Sequence, residues 1–274
     1  IIDLRENANP VQVAIIDGGF AGPSDYPAGA PTNTDYGVPF DTIPQCSFDP
    51  GGIPDCSAGS AAGPNPLFCS GTVGCDWHGS MTFSVSSAEM GNDYGSLGTG
   101  APVADPILMK VGFPWLMPTA EAIAASVALG ADVINISATF PCRAVLLDAC
   151  NPIENSIGVG LITAIVGPVC AVLQGLIPGL GDLTCAQITV LLSIPPMASA
   201  LQASVMGAQL ADVVVVAAAG NDVNILGVDI DAPAPMLTQN IPCVYPGVLC
   251  VGELASPDGV ELQGHRRHPA PQPG

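Results

Sequence analysis

The chain has 274 residues, with 24 acidic against 5 basic side chains and a formal net charge of −19. Hydrophobic residues make up 49% and charged residues 11%, and the mean hydropathy is +0.48. This composition excludes a charge-rich disordered protein and argues against a coiled coil. Such a negative surface repels phosphate groups, so no nucleic acid is expected as a partner.

The ten cysteines fall along the chain as near neighbours, which favours local disulfide pairing in an oxidising compartment. We therefore expect a secreted protein, extracellular or periplasmic. Local pairs would close loops of about 6 to 15 residues, each contributing about 2–3 kcal/mol. Spacing does not fix the connectivity, so this pairing stays a preference. The neighbours are Cys46 with Cys56, Cys69 with Cys75, Cys142 with Cys150, Cys170 with Cys185, and Cys243 with Cys250.

The predicted elements alternate between strands and helices. A β-branched run over 11–19 predicts a buried parallel strand that ends at Asp17 and two glycines. Residues 21–74 have no periodicity and predict an insertion or loop held by disulfides. Helical spacing follows over 81–88, where Asp76 as the N-cap would place His78 in the first turn. The later elements are a strand at 106–111, a helix at 119–130, a strand at 132–137, a helix at 196–210, and strands at 212–222 and 248–252. The alternation predicts an α/β fold with a parallel sheet flanked by helices.

Residues 141–195 interrupt this alternation. The part from 156 to 181 carries no charged side chain and is long enough to span a membrane. Pro168, Pro178 and several glycines break it, which favours an apolar helical hairpin packed on the domain. Contact with a membrane or a partner through 156–181 is the alternative.

Three polar residues stand at the ends of buried elements: Asp17 after a strand, His78 at the start of a helix, and Asn221 after a strand of valines and alanines. Each alone is explained by a cap, a structural histidine or a turn. Together they favour a site, since functional groups collect beyond the carboxyl ends of parallel strands. A buried carboxylate orients an imidazole for general-base chemistry, and an amide can stabilise an oxyanion by roughly 3–4 kcal/mol.

Six motifs in chain order resemble those of the subtilisin-like serine proteases (subtilases, peptidase family S8). They are the Asp motif at 13–19, the His motif at 76–80, the following strand with 98–102 and 107–111, the substrate-lining strand at 132–137, the oxyanion strand at 213–221 and the later strand at 245–252. The order Asp, His, Asn agrees with that family. The resemblance implies a three-layer, mostly parallel α/β fold. It also implies a catalytic domain over 1–259 with insertions at 21–74 and 141–195.

The resemblance further implies an endopeptidase that cleaves a polypeptide substrate. Asp17 would orient His78, His78 would act as base and then acid, and Asn221 would stabilise the oxyanion. An extended peptide would lie against two short segments. The substrate-binding residues would be Ser137, Ala138, Thr139, Ala218, Ala219 and Gly220.

The sequence departs from the family at several positions. Gly18 stands where the family has Ser or Thr, and no Gly-Thr-Ser-x-Ala-x-Pro motif occurs among the 274 residues. The composition changes near Gln263, and a Pro/His/Arg-rich tail occupies 260–274. We expect that the chain is truncated or frame-shifted before the serine segment, so that the fold is incomplete at its carboxyl end and this chain is inactive. The alternative is a catalytically inactive subtilase-like module that binds peptides or a partner.

No cofactor is required by this chemistry, although the resemblance implies that structural calcium could bind. Asn92, Asp93, Asp229 and Asp231 are candidate oxygen donors, with solvated loop carboxylates as the alternative. Structural zinc is a weaker interpretation of Cys75 and His78, because no second pair of ligands closes the site. Nucleotide binding is disfavoured, since no glycine-rich phosphate motif follows a strand.

Overall fold

The computed structural model describes residues 9–20, 35–49, 52–63, 78–91, 97–101, 103–112, 116–138, 197–219 and 241–252 with their side chains. It describes the backbone alone at 140–141, 143–144, 147–148, 185–196, 224–225, 228–229, 240, 254–255 and 266–267. The helices of this part are α1 His78–Ser87, α2 Leu116–Ala128 and α3 Cys185–Leu210, with a 3-10 turn at Phe40–Thr42.

The strands are numbered in chain order. They are β1 Val11–Asp17, β2 Gln45–Phe48, β3 Ala104–Val111, β4 Val133–Ile136, β5 Phe140–Pro141, β6 Arg143–Ala144, β7 Leu147–Asp148, β8 Val214–Ala218, β9 Asn224–Ile225, β10 Val228–Asp229, β11 Asn240–Ile241, β12 Leu249–Val251, β13 Leu254–Ala255 and β14 Arg266–Arg267.

The chain divides into two compact units. The first comprises Ile1–Ala138, Ser204–Ala218 and Gly247–Leu249, and the second comprises Thr139–Ala203, Ala219–Pro246 and Cys250–Gly274.

The first unit is built on a sheet in the order β8-β4-β1-β3-β2, to which β12 is added beyond β8. Strand β1 is central and pairs in parallel with β3 on one side and β4 on the other. The pairs of β2 with β3 and of β4 with β8 are also parallel. The predicted α/β class, a mostly parallel sheet flanked by helices, is therefore confirmed. Each strand inside the sheet is a short apolar run, as expected when both faces are covered.

Helix α1 lies in the chain between β2 and β3, and α2 lies between β3 and β4. Ile15 of β1 packs in one cluster with Phe83 of α1, so α1 covers the face of the sheet to which Ile15 points. Ala14 and Ile16, which point to the other face of β1, are also fully buried. Both faces of the central strand are therefore covered.

The chain leaves β1 towards β3 and leaves β4 towards β8, which lie on opposite sides of this pair of strands. The carboxyl ends of β1 and β4 are therefore the topological switch point of the sheet, which is the place where ligands bind in open α/β sheets. Asp17 is the last residue of β1, and Ser137 directly follows β4.

Loop aromatic residues fix α1 onto the sheet. The Tyr36 ring stacks on Phe83 with 4.2 Å between the centroids and meets Phe40 edge-on at 5.2 Å. The Tyr36 hydroxyl lies 3.1 Å from Ser80 Oγ in the first turns of α1. These buried rings join Ile15 and Leu108 in one hydrophobic cluster. The position of α1 is therefore set by packing from a loop as well as from the sheet.

Strand β2 lies inside the segment 21–74, for which the sequence indicated only a loop. All four of its residues are buried, although two of them are polar. Hydrogen bonds within the protein replace those that the Gln45 side chain would make with water. Its amide nitrogen donates to the carbonyls of Phe40 and Ile43, at 2.8 and 3.1 Å, and its amide oxygen accepts from the backbone amide of Ala61 at 3.0 Å. A short strand with polar residues satisfied in this way has no hydrophobic alternation to reveal it.

Two of the five preferred cysteine pairs are confirmed. Cys46 of β2 is bonded to Cys56, and Cys243 is bonded to Cys250 in the second unit. The other three pairs lie outside the side chains that the structure describes.

The described residues of the second unit form four short antiparallel ladders, in which β5 pairs with β11, β6 with β7, β9 with β10 and β13 with β14. Tyr245 is buried there and its hydroxyl donates to the Ala198 carbonyl at 3.0 Å; this burial raises the pKa of Tyr245. The predicted apolar hairpin at 156–181 lies outside the described residues. Among the described helices, none is both long and apolar enough for a bilayer crossing.

Candidate active site

Asp17 is a buried carboxylate at the carboxyl end of the central strand. Its side chain is 3% exposed. Oδ1 accepts a hydrogen bond from the amide of Gly18 at 2.6 Å, and Oδ2 accepts one from Thr82 Oγ1 at 2.9 Å. Burying an ionised carboxylate is costly unless its oxygens are hydrogen-bonded, and both oxygens have a donor here.

His78 is the third hydrogen-bonding partner of the Asp17 carboxylate. Its Nδ1 lies 2.9 Å from both oxygens of Asp17, while 48% of its side chain is exposed. An ionised carboxylate can only accept, so we assign the proton of the neutral ring to Nδ1. Nε2 then carries the lone pair that can accept a proton. The arrangement thus presents an imidazole whose tautomer is fixed from the buried side.

A glycine allows the first turn of α1 to come this close to β1. A Cβ on Gly79 would overlap the carbonyl oxygen of Gly19 and would lie 3.0 Å from the ring of Phe20. Only a residue without a side chain fits between the helix and the loop that follows β1. The glycine next to His78 therefore contributes directly to the short distance between His78 and Asp17.

Lys110, the single lysine of the chain, supports the same loop from the neighbouring strand. Its Cα pairs with that of Asp17 in the register of β1 and β3. Its Nζ donates to the Ala62 carbonyl at 3.0 Å, and the next amide, that of Gly63, donates to the Phe20 carbonyl at 3.0 Å. Burial lowers the pKa of Lys110, against an opposing contribution from Asp49.

Of the predicted substrate-binding residues, Ser137 and Ala138 follow β4 and are half-buried. Ser137 Oγ accepts a hydrogen bond from Asn135 Nδ2 at 2.9 Å. Ala218 ends β8 in the first unit. In the second unit the Ala219 amide donates to the Val251 carbonyl at 2.7 Å.

The structure brings together two of the predicted site residues, Asp17 and His78. The predicted oxyanion residue Asn221 lies outside the described residues, as do Thr139 and Gly220.

Thr82 is a member of this cluster that the sequence motifs did not indicate. It lies four residues after His78, so the two side chains share one face of α1. This spacing was the available signal: a hydroxyl on the face of a helix that already carries a histidine directed at a buried carboxylate.

Within the described part of the chain, no group of three or more His, Cys, Asp and Glu side chains could hold a metal ion. Cys75, the proposed zinc partner of His78, lies outside that part. So do the candidate calcium ligands Asn92, Asp93 and Asp231 and the side chain of Asp229.

No protein-family model matches the chain, and no curated protein matches its sequence. Several solved protease structures are similar to it. The prenylagaramide maturation protease PagA has 16% identity and a TM-score of 0.43, with 88% of this chain and 53% of that one covered. The epidermin leader peptide processing serine protease EpiP from Staphylococcus aureus has 18% identity and a TM-score of 0.45, with 90% and 47% covered. The MycP3 protease from the type VII (ESX-3) secretion system has 19% identity and a TM-score of 0.42, with 89% and 53% covered. The chain thus spans about half the length of the structures it matches.

Proposed function

We propose that this chain carries the acid–base part of a subtilisin-like serine endopeptidase. One observation carries the proposal: a half-exposed imidazole is held by Nδ1, at 2.9 Å from both oxygens, against a buried carboxylate at the end of a central parallel strand. The six sequence motifs that resemble subtilases support the same assignment, and they include both Asp17 and His78.

In the proposed reaction, His78 Nε2 takes the proton of a serine hydroxyl while the serine oxygen bonds to the substrate carbonyl carbon. The peptide C–N bond then breaks as Nε2 returns this proton to the leaving amine. Water hydrolyses the resulting acyl-enzyme in the same two proton transfers. Asp17 remains ionised throughout and stabilises the imidazolium that forms on His78.

The remaining parts of the proposed site come from the resemblance. The Asn221 amide would donate to the oxyanion, which is worth roughly 3–4 kcal/mol in such enzymes. An extended peptide would pair with the segments Ser137–Ala138–Thr139 and Ala218–Ala219–Gly220. Their small side chains leave space for the substrate without defining which side chain precedes the cleaved bond.

The nucleophile is the part that the 274 residues do not supply in its family context, because the Gly-Thr-Ser-x-Ala-x-Pro motif is absent from them. This same observation favours a second candidate function. In that alternative, the chain is an inactive module that binds an extended peptide or a partner without cleaving it.

We place the proposed catalytic domain at 1–259 and the protein in an oxidising compartment, outside the cytoplasm. The Cys46–Cys56 and Cys243–Cys250 disulfides support this location. Calcium bound by loop oxygens remains part of the proposal, without a role in the proton transfers.

The test is covalent labelling by a fluorophosphonate, which reacts with activated serine hydroxyls. The probe is applied to the protein purified from its source organism, together with the variants His78→Ala and Ser84→Ala. Ser84 lies on the same helix but its hydroxyl donates to Asp35, at 2.6 Å. Labelling that is lost in His78→Ala and kept in Ser84→Ala supports the endopeptidase. A protein that binds peptides but is never labelled supports the binding module.

A further inference from the structure

We propose that Thr82 is a positioning residue for His78, acting through the carboxylate of Asp17. The catalytic consequence rests on the proposed function, but the effect on the histidine does not. Thr82 donates from Oγ1 to Asp17 Oδ2 at 2.9 Å, and His78 Nδ1 lies at 2.9 Å from that same oxygen.

The two oxygens of Asp17 are held by donors of different kinds. Oδ1 accepts a hydrogen bond from the backbone amide of Gly18 at 2.6 Å. Because Gly18 has no side chain, it cannot supply a second donor to Oδ2. Thr82 supplies that second donor from the helix on the other side of the carboxylate. The carboxylate is thereby fixed at both ends, which matters because rotation about its last bond is otherwise soft.

A fixed carboxylate plane explains the position of the imidazole. With Oδ1 and Oδ2 both restrained, Nδ1 of His78 lies at equal distances of 2.9 Å from the two oxygens. Without the hydroxyl of Thr82, the histidine is the one donor left to Oδ2 among the described residues, and the carboxylate can turn to follow the ring. The ring then loses the constraint that keeps its proton on Nδ1 and its lone pair on Nε2.

Threonine suits this task better than a flexible donor. Its β-branched side chain has few rotamers in a helix, and its hydroxyl there commonly bonds to a backbone carbonyl one turn earlier. At position 82 it reaches across to β1 instead. Since Thr82 and His78 are one helical turn apart, both side chains move as one body with α1.

The experiment measures the histidine itself, so it does not need peptidase activity. The whole 274-residue chain is labelled with 15N-histidine, and the signals of His78 are assigned by their loss in His78→Gln. The protonated ring nitrogen of neutral His78 is then identified from its 15N shifts, together with the downfield proton signal of a hydrogen-bonded Nδ1–H. The compared variants are Thr82→Val, which keeps the shape and removes the hydroxyl, Thr82→Ser, which keeps the hydroxyl, and Ser84→Ala as the control on the same helix.

We expect Thr82→Val to lower the fraction of the Nδ1–H form at least two-fold and to broaden or remove the downfield signal. Thr82→Ser and Ser84→Ala should retain the spectrum of the unmodified chain. Should Thr82→Val fail to fold, Thr82→Ala against Thr82→Ser gives the same comparison. A wild-type tautomer in the folded variant without the hydroxyl overturns the proposal. An equal loss of the Nδ1–H form in Thr82→Ser also overturns it, because the effect would then come from the shape of the side chain and not from its hydroxyl.

A second readout separates this inference from the proposed function. In the protein from its source, Thr82→Val should slow fluorophosphonate labelling about ten-fold, and Thr82→Ser should restore most of the rate. If the unmodified protein is not labelled at all, the endopeptidase proposal fails while the spectroscopic comparison still decides the role of Thr82. An unchanged labelling rate in Thr82→Val, with labelling intact in the unmodified protein, contradicts the positioning role.

Discussion

Adding one methyl group at Gly79 should destabilise the protein and disturb the pair of Asp17 and His78. The added Cβ would overlap the carbonyl oxygen of Gly19 and would lie 3.0 Å from both the Gly19 carbonyl carbon and the ring of Phe20. Backbone atoms cannot rotate away as the end of a long side chain can. The first turn of α1 must therefore move away from the loop after β1, and His78 moves with it.

The size of the effect follows from two opposing terms. Replacing glycine by alanine inside a helix stabilises by roughly 0.5–1 kcal/mol when the space is free. Overpacking of a well-filled site costs roughly 1–3 kcal/mol. For Gly79→Ala we expect a net loss of about 1–2 kcal/mol in the free energy of unfolding. Gly207 in α3 is the matched control, since a Cβ there meets nothing within 4 Å. Gly207→Ala should stabilise by about 0.5–1 kcal/mol.

Urea and thermal unfolding of the two variants measure this difference. A gap of about 2 kcal/mol between them corresponds to roughly 6 °C in Tm for a chain of this size. The downfield proton signal of His78 should weaken in Gly79→Ala and stay unchanged in Gly207→Ala. If both substitutions stabilise the protein equally, the close approach of α1 to Gly19 is not a feature of the folded protein and the reasoning fails.

Three further predictions concern the surroundings of the site. Cys56→Ser, which removes the bond to Cys46 across a separation of 10 residues, should lower the free energy of unfolding by about 3 kcal/mol. A reducing agent should then lower the stability of the unmodified protein by more than that of the variant, which keeps the Cys243–Cys250 bond. Burial lowers the pKa of Lys110 below its usual 10.5, so at pH values just below 10.5 the unfolded chain binds more protons than the folded protein. The free energy of unfolding should therefore increase as the pH rises through that range. Urea titrations at several pH values should show this increase in the unmodified protein and not in Lys110→Met. Tyr36→Phe should cost about 1 kcal/mol in thermal unfolding, because Ser80 loses its hydroxyl partner, and an unchanged Tm would contradict that contact.

The sheet could be predicted from the sequence where strands are continuous apolar runs. The predicted strand over 106–111 is the larger part of β3, Ala104–Val111, and the predicted strand over 132–137 contains β4, Val133–Ile136. Helix α2 also agrees with its prediction, although it begins at Leu116 rather than at 119. Continuous apolar runs in the strands and apolar residues at helical spacing in α2 are the signals that a single sequence carries best.

The strand β2 could not be predicted in this way, because its stability comes from partners that are distant in the sequence. Gln45 is buried only because loop carbonyls and the amide of Ala61 satisfy its side chain. The candidate site likewise has residues that could be predicted from the sequence and one that could not. Asp17 and His78 were predicted from motifs, whereas Thr82 belongs to the cluster only because α1 packs with that face on β1. The four-residue spacing places Thr82 on the same face of the helix as His78, but it does not give the distance from that face to Asp17.

The position of β1 at the centre of the sheet has a consequence for synthesis of the protein. The Gln12 side chain bonds to Asp105, 93 residues further along the chain, and the Gln12 amide bonds to Asp132, 120 residues away. While the ribosome is still making those later strands, the apolar run Ala14–Ile16 has neither neighbour to cover it. A nascent or prematurely ended chain shorter than β3 would therefore expose two open strand edges, which is the form in which we expect this protein to need a chaperone most.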